Sequence, residues 1–277
     1  MRIMLRMLFT CVLALACAPG AGIGQVAPER VAFTSTPKIM QPLPFKVGES
    51  LSYEVSFSKF IFSGAIGELK LSVAEPNDRA AQGLIEIRAE VDSKGFFPKL
   101  FGIKVRDRFS STINSEDLGL HISSKFLEEG KVRREQKSVI DRGAGRVTYT
   151  ERDLDNEKAA PKVKEAASPS WIQDMLSVCY FVRAQKLDDG GVIKVPISDG
   201  GEVFNIEVVV AGREEVKVDA GKFKAIKLNA KIFDGRYIRR SGEMFVWLTD
   251  DARRIPVRAK IKSSGSTVTV DLKQMKL

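Results

Sequence analysis

The chain has 277 residues, 44% of them hydrophobic and 29% charged, a composition that is typical of folded proteins and excludes a wholly disordered one. Lysine and arginine number 44 against 35 acidic residues, a formal net charge of +9, which fits either an ordinary basic surface or contact with anionic head groups and glycans. The three cysteines exclude a disulfide framework, because Cys11 and Cys17 both lie within the first 24 residues.

Those first 24 residues have the layout of a secretory signal peptide. Arg2 and Arg6 precede an apolar run over residues 7–18, and small residues follow. The run is about a dozen residues long, shorter than the roughly 20 that a transmembrane helix requires. We therefore expect an exported protein, located in the periplasm or associated with the outer membrane, with no transmembrane segment in the mature chain.

Cys17 introduces an alternative, a lipid anchor. The segment Ala14-Leu15-Ala16-Cys17 resembles the lipobox of bacterial lipoproteins, in which a cysteine after small residues is lipidated. The leucine that usually stands three positions before the cysteine is replaced by Ala14. We therefore expect ordinary cleavage, and lipidation at Cys17 is the alternative.

Residues 25–44 are rich in proline and lack hydrophobic periodicity, which predicts an extended tether before a single β-rich domain over residues 45–277. Apolar and polar residues then alternate with a period of two, for example over 51–58 and 67–73. This alternation indicates antiparallel strands with one buried and one solvated face. Further strands are predicted over residues 85–91, 104–114, 119–128, 131–140 and 145–153.

A charged segment over residues 155–167 predicts a loop that joins two halves of the domain, 45–154 and 168–277. A helix is predicted next, over about residues 170–186, because candidate N-cap serines precede apolar residues at helical spacing. Its apolar stripe is too broad for a surface helix, so we expect it to be covered on most sides.

The last third of the chain returns to strand patterns separated by turns that are rich in glycine and aspartate. One such turn is predicted at Gly212. Because a meander needs a cover for its buried face, the 170–186 helix is the natural candidate. We predict a mainly β fold, an antiparallel and strongly curved sheet or incomplete barrel with one central helix.

Four segments add a resemblance to this interpretation. They are residues 45–56 (FKVGESLSYEVS), 173–177 with 180–183 (QDMLS and YFVR), 218–223 (VDAGKF), and 246–251 with 254–257 (VWLTDD and RIPV). Their order and spacing resemble an exported Gram-negative family of unknown function, DUF3108, over roughly residues 44–276. The resemblance implies a β-rich envelope protein and supplies no catalytic residue.

Residue types that build common catalytic centres are sparse in this sequence. His121 is the one histidine, and no nucleophile-elbow motif accompanies it. Glycan hydrolases need two carboxylates across a sugar, but the aspartate pairs at 188–189 and 250–251 precede glycine or alanine and favour turns. Cys179 lies among apolar residues and indicates a small buried side chain. We expect no enzymatic activity, no metal and no cofactor.

A loop with an apolar content, residues 95–102 (GFFPKLFG), is the candidate ligand site. On a surface loop its phenylalanines would form an exposed patch that lines the mouth of an apolar cavity or enters a membrane interface. The alternative is that the loop folds back and plugs one end of the sheet. The expected ligand-binding residues, with two from the predicted helix, are Phe96, Phe97, Leu100, Phe101, Trp171 and Met175.

A weaker candidate is a basic strand face formed by Arg258, Lys260 and Lys262, which is either solvated or in contact with anionic groups. We predict a non-enzymatic envelope protein that binds a lipid-like or amphiphilic ligand between the sheet and the helix. A structural or interaction protein with a filled core is the alternative, and a glycan hydrolase is the minor alternative. The expected partner is a lipid or an anionic envelope component, with peripheral membrane contact and without nucleic acid.

Overall fold

The computed structural model of the protein describes residues 38–76, 82–96, 99, 102, 104–233 and 241–277. Over this part of the chain, fourteen strands form one antiparallel sheet, accompanied by one short helix, α1 (Ser177–Arg183). The strands are β1 (Ser50–Lys59), β2 (Phe62–Ala74), β3 (Leu84–Ser93), β4 (Arg106–Asn114), β5 (Leu120–Glu129), β6 (Val132–Asp141), β7 (Arg146–Asp153), β8 (Lys162–Ala167), β9 (Val192–Asp199), β10 (Glu202–Val218), β11 (Gly221–Ala230), β12 (Gly242–Thr249), β13 (Pro256–Ser263) and β14 (Ser266–Lys276).

Two meanders make up the sheet. Strands β1–β8 pair in sequence, strands β9–β14 pair in sequence, and β1 joins β14 with Val55 opposite Val270. The first and last strands therefore meet at the centre of the sheet, and β8 and β9 are its edges. This arrangement confirms the predicted mainly β, antiparallel fold.

The sheet curls until its two edges touch. The Lys164 ammonium of β8 donates to the carbonyl of Gly200, in the turn between β9 and β10, at 3.2 Å. Lys125 of β5 forms an ion pair with Asp199 at the end of β9. No ladder joins β8 to β9 over the residues described, so the result is an incomplete barrel.

The helix is shorter than the predicted span of residues 170–186. Before α1 the chain forms a parallel bridge to β9. The Gln173 N–H donates to the Pro196 carbonyl at 2.9 Å, and the Gln173 carbonyl accepts from the Ser198 N–H at 2.8 Å. These bonds compete with a helical backbone, since each N–H and C=O is used once in regular structure. The apolar residues before Ser177 keep a helical spacing although their backbone is not helical, and for this reason the predicted helix was too long.

Three other predicted elements differ from the structure. The predicted loop over 155–167 contains β8, which pairs with β7. The predicted turn at Gly212 is a bulge within the continuous strand β10, where Gly212 has a φ of +131°. The end of the predicted tether packs on the domain, because Ile39 and Leu43 contact the core. The predicted signal peptide and Cys17 lie outside the described residues.

The core lies inside the curl and follows the predicted alternation. Leu51, Tyr53 and Val55 of β1 are buried and their neighbours are half-buried. Buried residues of α1 and of the segment before it, including Ile172 and Phe181, fill the interior. In the described part of the chain no helix has the length and apolar character needed to cross a bilayer.

Candidate ligand cavity

An apolar cavity of about 140 Å³ lies between the helical segment and the sheet. The helical wall comes from positions 175, 176, 178, 179 and 182. All but 176 have the spacing of one helix face. The opposite wall comes from seven strands, β1, β2 and β10–β14. Strand residues that line it include Leu69, Leu71, Leu228, Val246, Ala259 and Ile261.

The few polar atoms in this wall are already bonded to the protein. The Tyr53 hydroxyl donates to the carbonyl of Pro256 at 2.9 Å. The Arg258 guanidinium donates to the Asp271 carboxylate at 2.5 and 2.9 Å. The cavity therefore offers apolar contact to an alkyl or aryl group.

Cys179 contributes a thiol to the helical wall. The side chain is half-buried, and its burial raises the pKa of the thiol to about 11. The thiol is therefore neutral near pH 7, and a neutral thiol is neither a good nucleophile nor a good metal ligand. Cys179 behaves here as a small apolar side chain, in the way the sequence indicated.

Asp174 fixes the start of α1. Its Oδ1 accepts from the amides of Leu176 at 3.0 Å and Ser177 at 2.6 Å, and Ser177 Oγ accepts from the Asp174 amide at 2.9 Å. This reciprocal arrangement satisfies amides that a helix start leaves unpaired. Asp174 Oδ2 also accepts from the Ser111 hydroxyl of β4 at 2.6 Å, so the cap ties the helix to the sheet.

Arg183 fixes the other end of α1. It donates to both Glu49 carboxylate oxygens, at 2.7 and 2.8 Å, and to the carbonyls of Pro44 and Arg253 at 3.1 and 3.0 Å. The rings of Phe45 and Tyr180 lie 5.3 and 5.0 Å from the guanidinium. With both ends tied to the sheet, the helical wall has a defined position.

The sequence-predicted ligand residues separate into four groups. Met175 lines the cavity. Trp171 is buried away from the lining and stacks on Phe181, with ring centroids 5.8 Å apart. Phe96 is exposed on the connection between β3 and β4 and does not line the cavity. The other three, Phe97, Leu100 and Phe101, lie outside the described residues.

The three residues of the predicted basic face of β13 also lie in different environments. Arg258 is in the cavity wall and engages Asp271. The Lys260 ammonium lies 6.0 Å from the Trp247 ring centroid, and Lys262 is exposed. Contact of these residues with an anionic group remains a prediction.

A second, polar interior region was missed by the sequence analysis. The Glu151 carboxylate of β7 accepts from the Gln136 amide and from the Tyr149 hydroxyl at 2.9 Å, and Lys162 donates to it at 2.9 Å. The sequence pattern that could have indicated this region lies in β6, where Gln136 and Ser138 occupy the buried positions of the alternation. An apolar pattern alone does not reveal which polar residues face inward.

The aspartate pairs come together at one arginine. Arg213 binds Asp250 through Nε at 3.1 Å and also binds Asp189. Asp251 accepts from the amides of Arg253 and Arg254 at 3.0 and 3.1 Å, which is turn geometry. These carboxylates hold two connections of the sheet together.

Comparison with known proteins places these observations in a family. The profile of the family described as "Protein of unknown function (DUF3108)" matches residues 39–273. The chain belongs to the DUF3108 family. This confirms the resemblance carried by the four segments. No curated protein matches the sequence.

Three solved structures match this family member, and the first of them shows the same kind of fold. A β-barrel-like DUF1849 protein from Brucella abortus has a TM-score of 0.52 and 10% identity, over 83% of this chain and 98% of that chain. A protein from Bacteroides fragilis, described as exported with a YmcC-like fold, has a TM-score of 0.36 and 10% identity over 85% and 98%. A Parabacteroides distasonis protein described as a lipoprotein has a TM-score of 0.30 and 8% identity, over 84% of this chain and 97% of that chain. The first comparison supports the fold alone.

Proposed function

We propose that this DUF3108 protein is a non-enzymatic protein of the cell envelope that binds the apolar tail of an amphiphile between α1 and the sheet. The observation that carries the proposal is the apolar cavity of about 140 Å³. A structural protein with a filled core has no need of such a space, because protein interiors are normally close-packed. The exported location rests on the signal-peptide layout of the first 24 residues.

The size of the cavity limits what it can hold. Apolar cavities of about 150 Å³ stay dry and bind benzene, so this cavity suits a short alkyl segment rather than a whole lipid. Met175 and Met244 line it from opposite sides. Methionine is flexible and polarisable, so these two side chains are suited to move aside for a longer chain while the head group stays outside.

The proposal is tested by native mass spectrometry of the protein purified from membranes. We expect an amphiphile to remain bound to the wild type and to be lost from Ala259→Leu, whose larger side chain fills the cavity. Ala167→Leu is the matched control, because Ala167 is exposed on β8 and makes no part of the lining.

Two outcomes would contradict the proposal. One is a wild-type protein that carries no amphiphile and whose melting temperature does not rise with added apolar ligand, since any ligand of the native state must stabilise it. The other is equal occupancy in the wild type and in Ala259→Leu. Either result would leave the interaction protein as the better description.

A further inference from the structure

The turn between β1 and β2 exposes large apolar side chains. Phe60 and Ile61 are 89% and 90% exposed, and Phe62 is 59% exposed. Soluble proteins rarely leave contiguous apolar groups of this size in water unless they serve an interaction.

The backbone at this turn gives a second, independent observation. Phe60 has a φ of +53°, in the left-handed region that favours glycine and costs other residues roughly 1 kcal/mol. Since its ring is almost fully exposed, a phenylalanine here contributes little to the core. A non-glycine residue in a left-handed conformation is a pointer to function.

A fourth exposed apolar side chain lies at the same end of the sheet. The Lys94 amide donates to the Ile66 carbonyl at 3.0 Å, which places the β3–β4 connection beside the start of β2. Phe96, two residues later, is 69% exposed. Phe60, Ile61, Phe62 and Phe96 together are called the apolar tip below.

The apolar tip projects from the sheet. Gly67 is the first residue of β2 that pairs with β3, opposite Ser93, so residues 62–66 continue past the end of β3. On the other side Lys59 pairs with Ser266, which places the β13–β14 turn next to the tip. Among the described residues, the apolar side chains of the tip therefore lie beyond the end of β3, and Phe60 and Ile61 are almost fully exposed there.

The connections at this end carry charge of one sign. Residues 59–67, 93–104 and 262–268 contain five lysines and no acidic residue. Lys94 pairs with Glu68 of β2 at 2.7 Å, and Lys104 pairs with Glu128 of β5 at 3.2 Å. Lysines beside exposed aromatic and aliphatic groups match the interface of an anionic bilayer, where the apolar groups enter and the ammonium groups stay at the head groups. The lysines are Lys59, Lys94, Lys99, Lys104 and Lys262.

We propose that the apolar tip inserts into the interface of a membrane that contains anionic lipid. A protein partner is the poorer fit, because a stable interface needs about 800 Å² per partner and a projecting turn offers a few separate side chains. This proposal goes beyond ligand binding in the cavity and does not rest on it.

Tryptophan fluorescence tests insertion directly. In Phe60→Trp, the emission of the new indole should shift to the blue with phosphatidylcholine vesicles that contain phosphatidylglycerol, and brominated lipid should quench it. Val163→Trp is the matched control on an exposed residue of β8 and should not shift. The native Trp171 and Trp247 are buried and give a constant background.

Vesicle flotation tests whether the tip carries the affinity. The double variant Phe60→Gly with Ile61→Ser should bind the same vesicles about tenfold less than the wild type, and binding of the wild type should weaken with salt. The melting temperature of this variant should stay the same or rise, because glycine removes the left-handed strain. A structural role for Phe60 predicts a fall instead.

Three results would overturn the proposal: equal flotation of the wild type and the double variant, no blue shift in Phe60→Trp, or a wild-type dimer that the double variant abolishes in sedimentation. The last would make the tip a contact between copies of this chain. Ala259→Leu should bind vesicles like the wild type, so failure of the tip and failure of the cavity are separate outcomes.

Discussion

Arg183 and Glu49 have side chains exposed by only 0% and 3%, and they form a bidentate ion pair. Three of the four segments that carry the family resemblance meet there. The first supplies Glu49, the second supplies Arg183, and the fourth supplies Arg254, whose guanidinium donates to the Arg183 carbonyl at 3.1 Å. The resemblance is therefore explained in part by one buried cluster that holds the helix, not by a catalytic centre.

Glu49→Gln should lower the free energy of unfolding by about 3–5 kcal/mol, because it leaves a buried guanidinium without its counter-charge. Urea denaturation measures the loss. Glu54→Gln is the control, since Glu54 makes an exposed pair with Lys273 at 3.3 Å and exposed pairs contribute about 0–1 kcal/mol. A loss below 1 kcal/mol in Glu49→Gln would show that the pair does not anchor the helix.

Asp107 predicts a pH dependence of stability. The residue is buried on β4, and burial raises the pKa of its carboxyl to about 7, although Oδ1 accepts from the Glu128 amide at 3.0 Å. Between about pH 4 and pH 7 the native state holds a proton that the unfolded state has lost. The free energy of unfolding should therefore fall as pH rises through this range, by about 4 kcal/mol from this group.

Asp107→Asn removes that proton equilibrium and keeps the acceptor oxygen. From pH 4 to pH 8 the wild type should lose unfolding free energy that Asp107→Asn keeps. The stability of the variant relative to the wild type should therefore increase with pH. Urea denaturation at several pH values measures it. Parallel curves across the range would show that the carboxyl titrates normally.

At the scale of elements, the helical segment is attached to the sheet at three points, although α1 itself has only seven residues. It bridges to β9 before α1 begins, it is capped by Asp174, and it is tied at its end by Arg183. Isolated helices this short are unstable in water, so tertiary contacts hold α1. The same contacts place Met175 and Cys179 in the cavity wall.

Trp171→Ala should lower the free energy of unfolding by about 3–5 kcal/mol, because the buried indole packs on Phe181. Denaturant melts measure the loss, and Ala167→Leu on the exposed side of β8 should leave the free energy almost unchanged. If Trp171→Ala cost less than 1 kcal/mol, the helical segment would be peripheral to the fold.

At the scale of the whole molecule, the contact between the sheet edges is the feature that makes the curl a nearly closed barrel. Gly201 lies in the turn between β9 and β10, and a Cβ there would meet the Lys164 side chain at 2.8 Å and the Tyr149 Cβ at 3.2 Å. Gly200 beside it has open space at the same position. Both have positive φ, +80° and +59°.

Gly201→Ala should therefore cost about 1 kcal/mol more than Gly200→Ala in urea denaturation. Both substitutions carry a similar left-handed strain of about 1 kcal/mol, and only Gly201→Ala pushes the edges apart. Equal costs would mean that the edge contact adds nothing to stability.

Local patterns were sufficient for much of the fold. The alternation in β1, with Leu51, Tyr53 and Val55 inward, depends on backbone geometry that is the same in every strand. Strand positions, the antiparallel pairing and the family could therefore be read from the sequence. The broad apolar stripe likewise predicted a helix covered on most sides, and most residues of α1 are buried.

The rest depended on contacts between residues far apart in the chain. The helix begins at Ser177 because Gln173 pairs with β9, and Gly212 is a bulge because β10 keeps its partner β11 beyond it. The cavity exists only because seven strands curve around the helical segment and the side chains between them leave a space unfilled. The sequence by itself determined most of the strands and the family and predicts an export signal, because these are local patterns. Tertiary structure decided the closure, the buried ion pair and the cavity, because each requires surfaces that only the folded chain brings together.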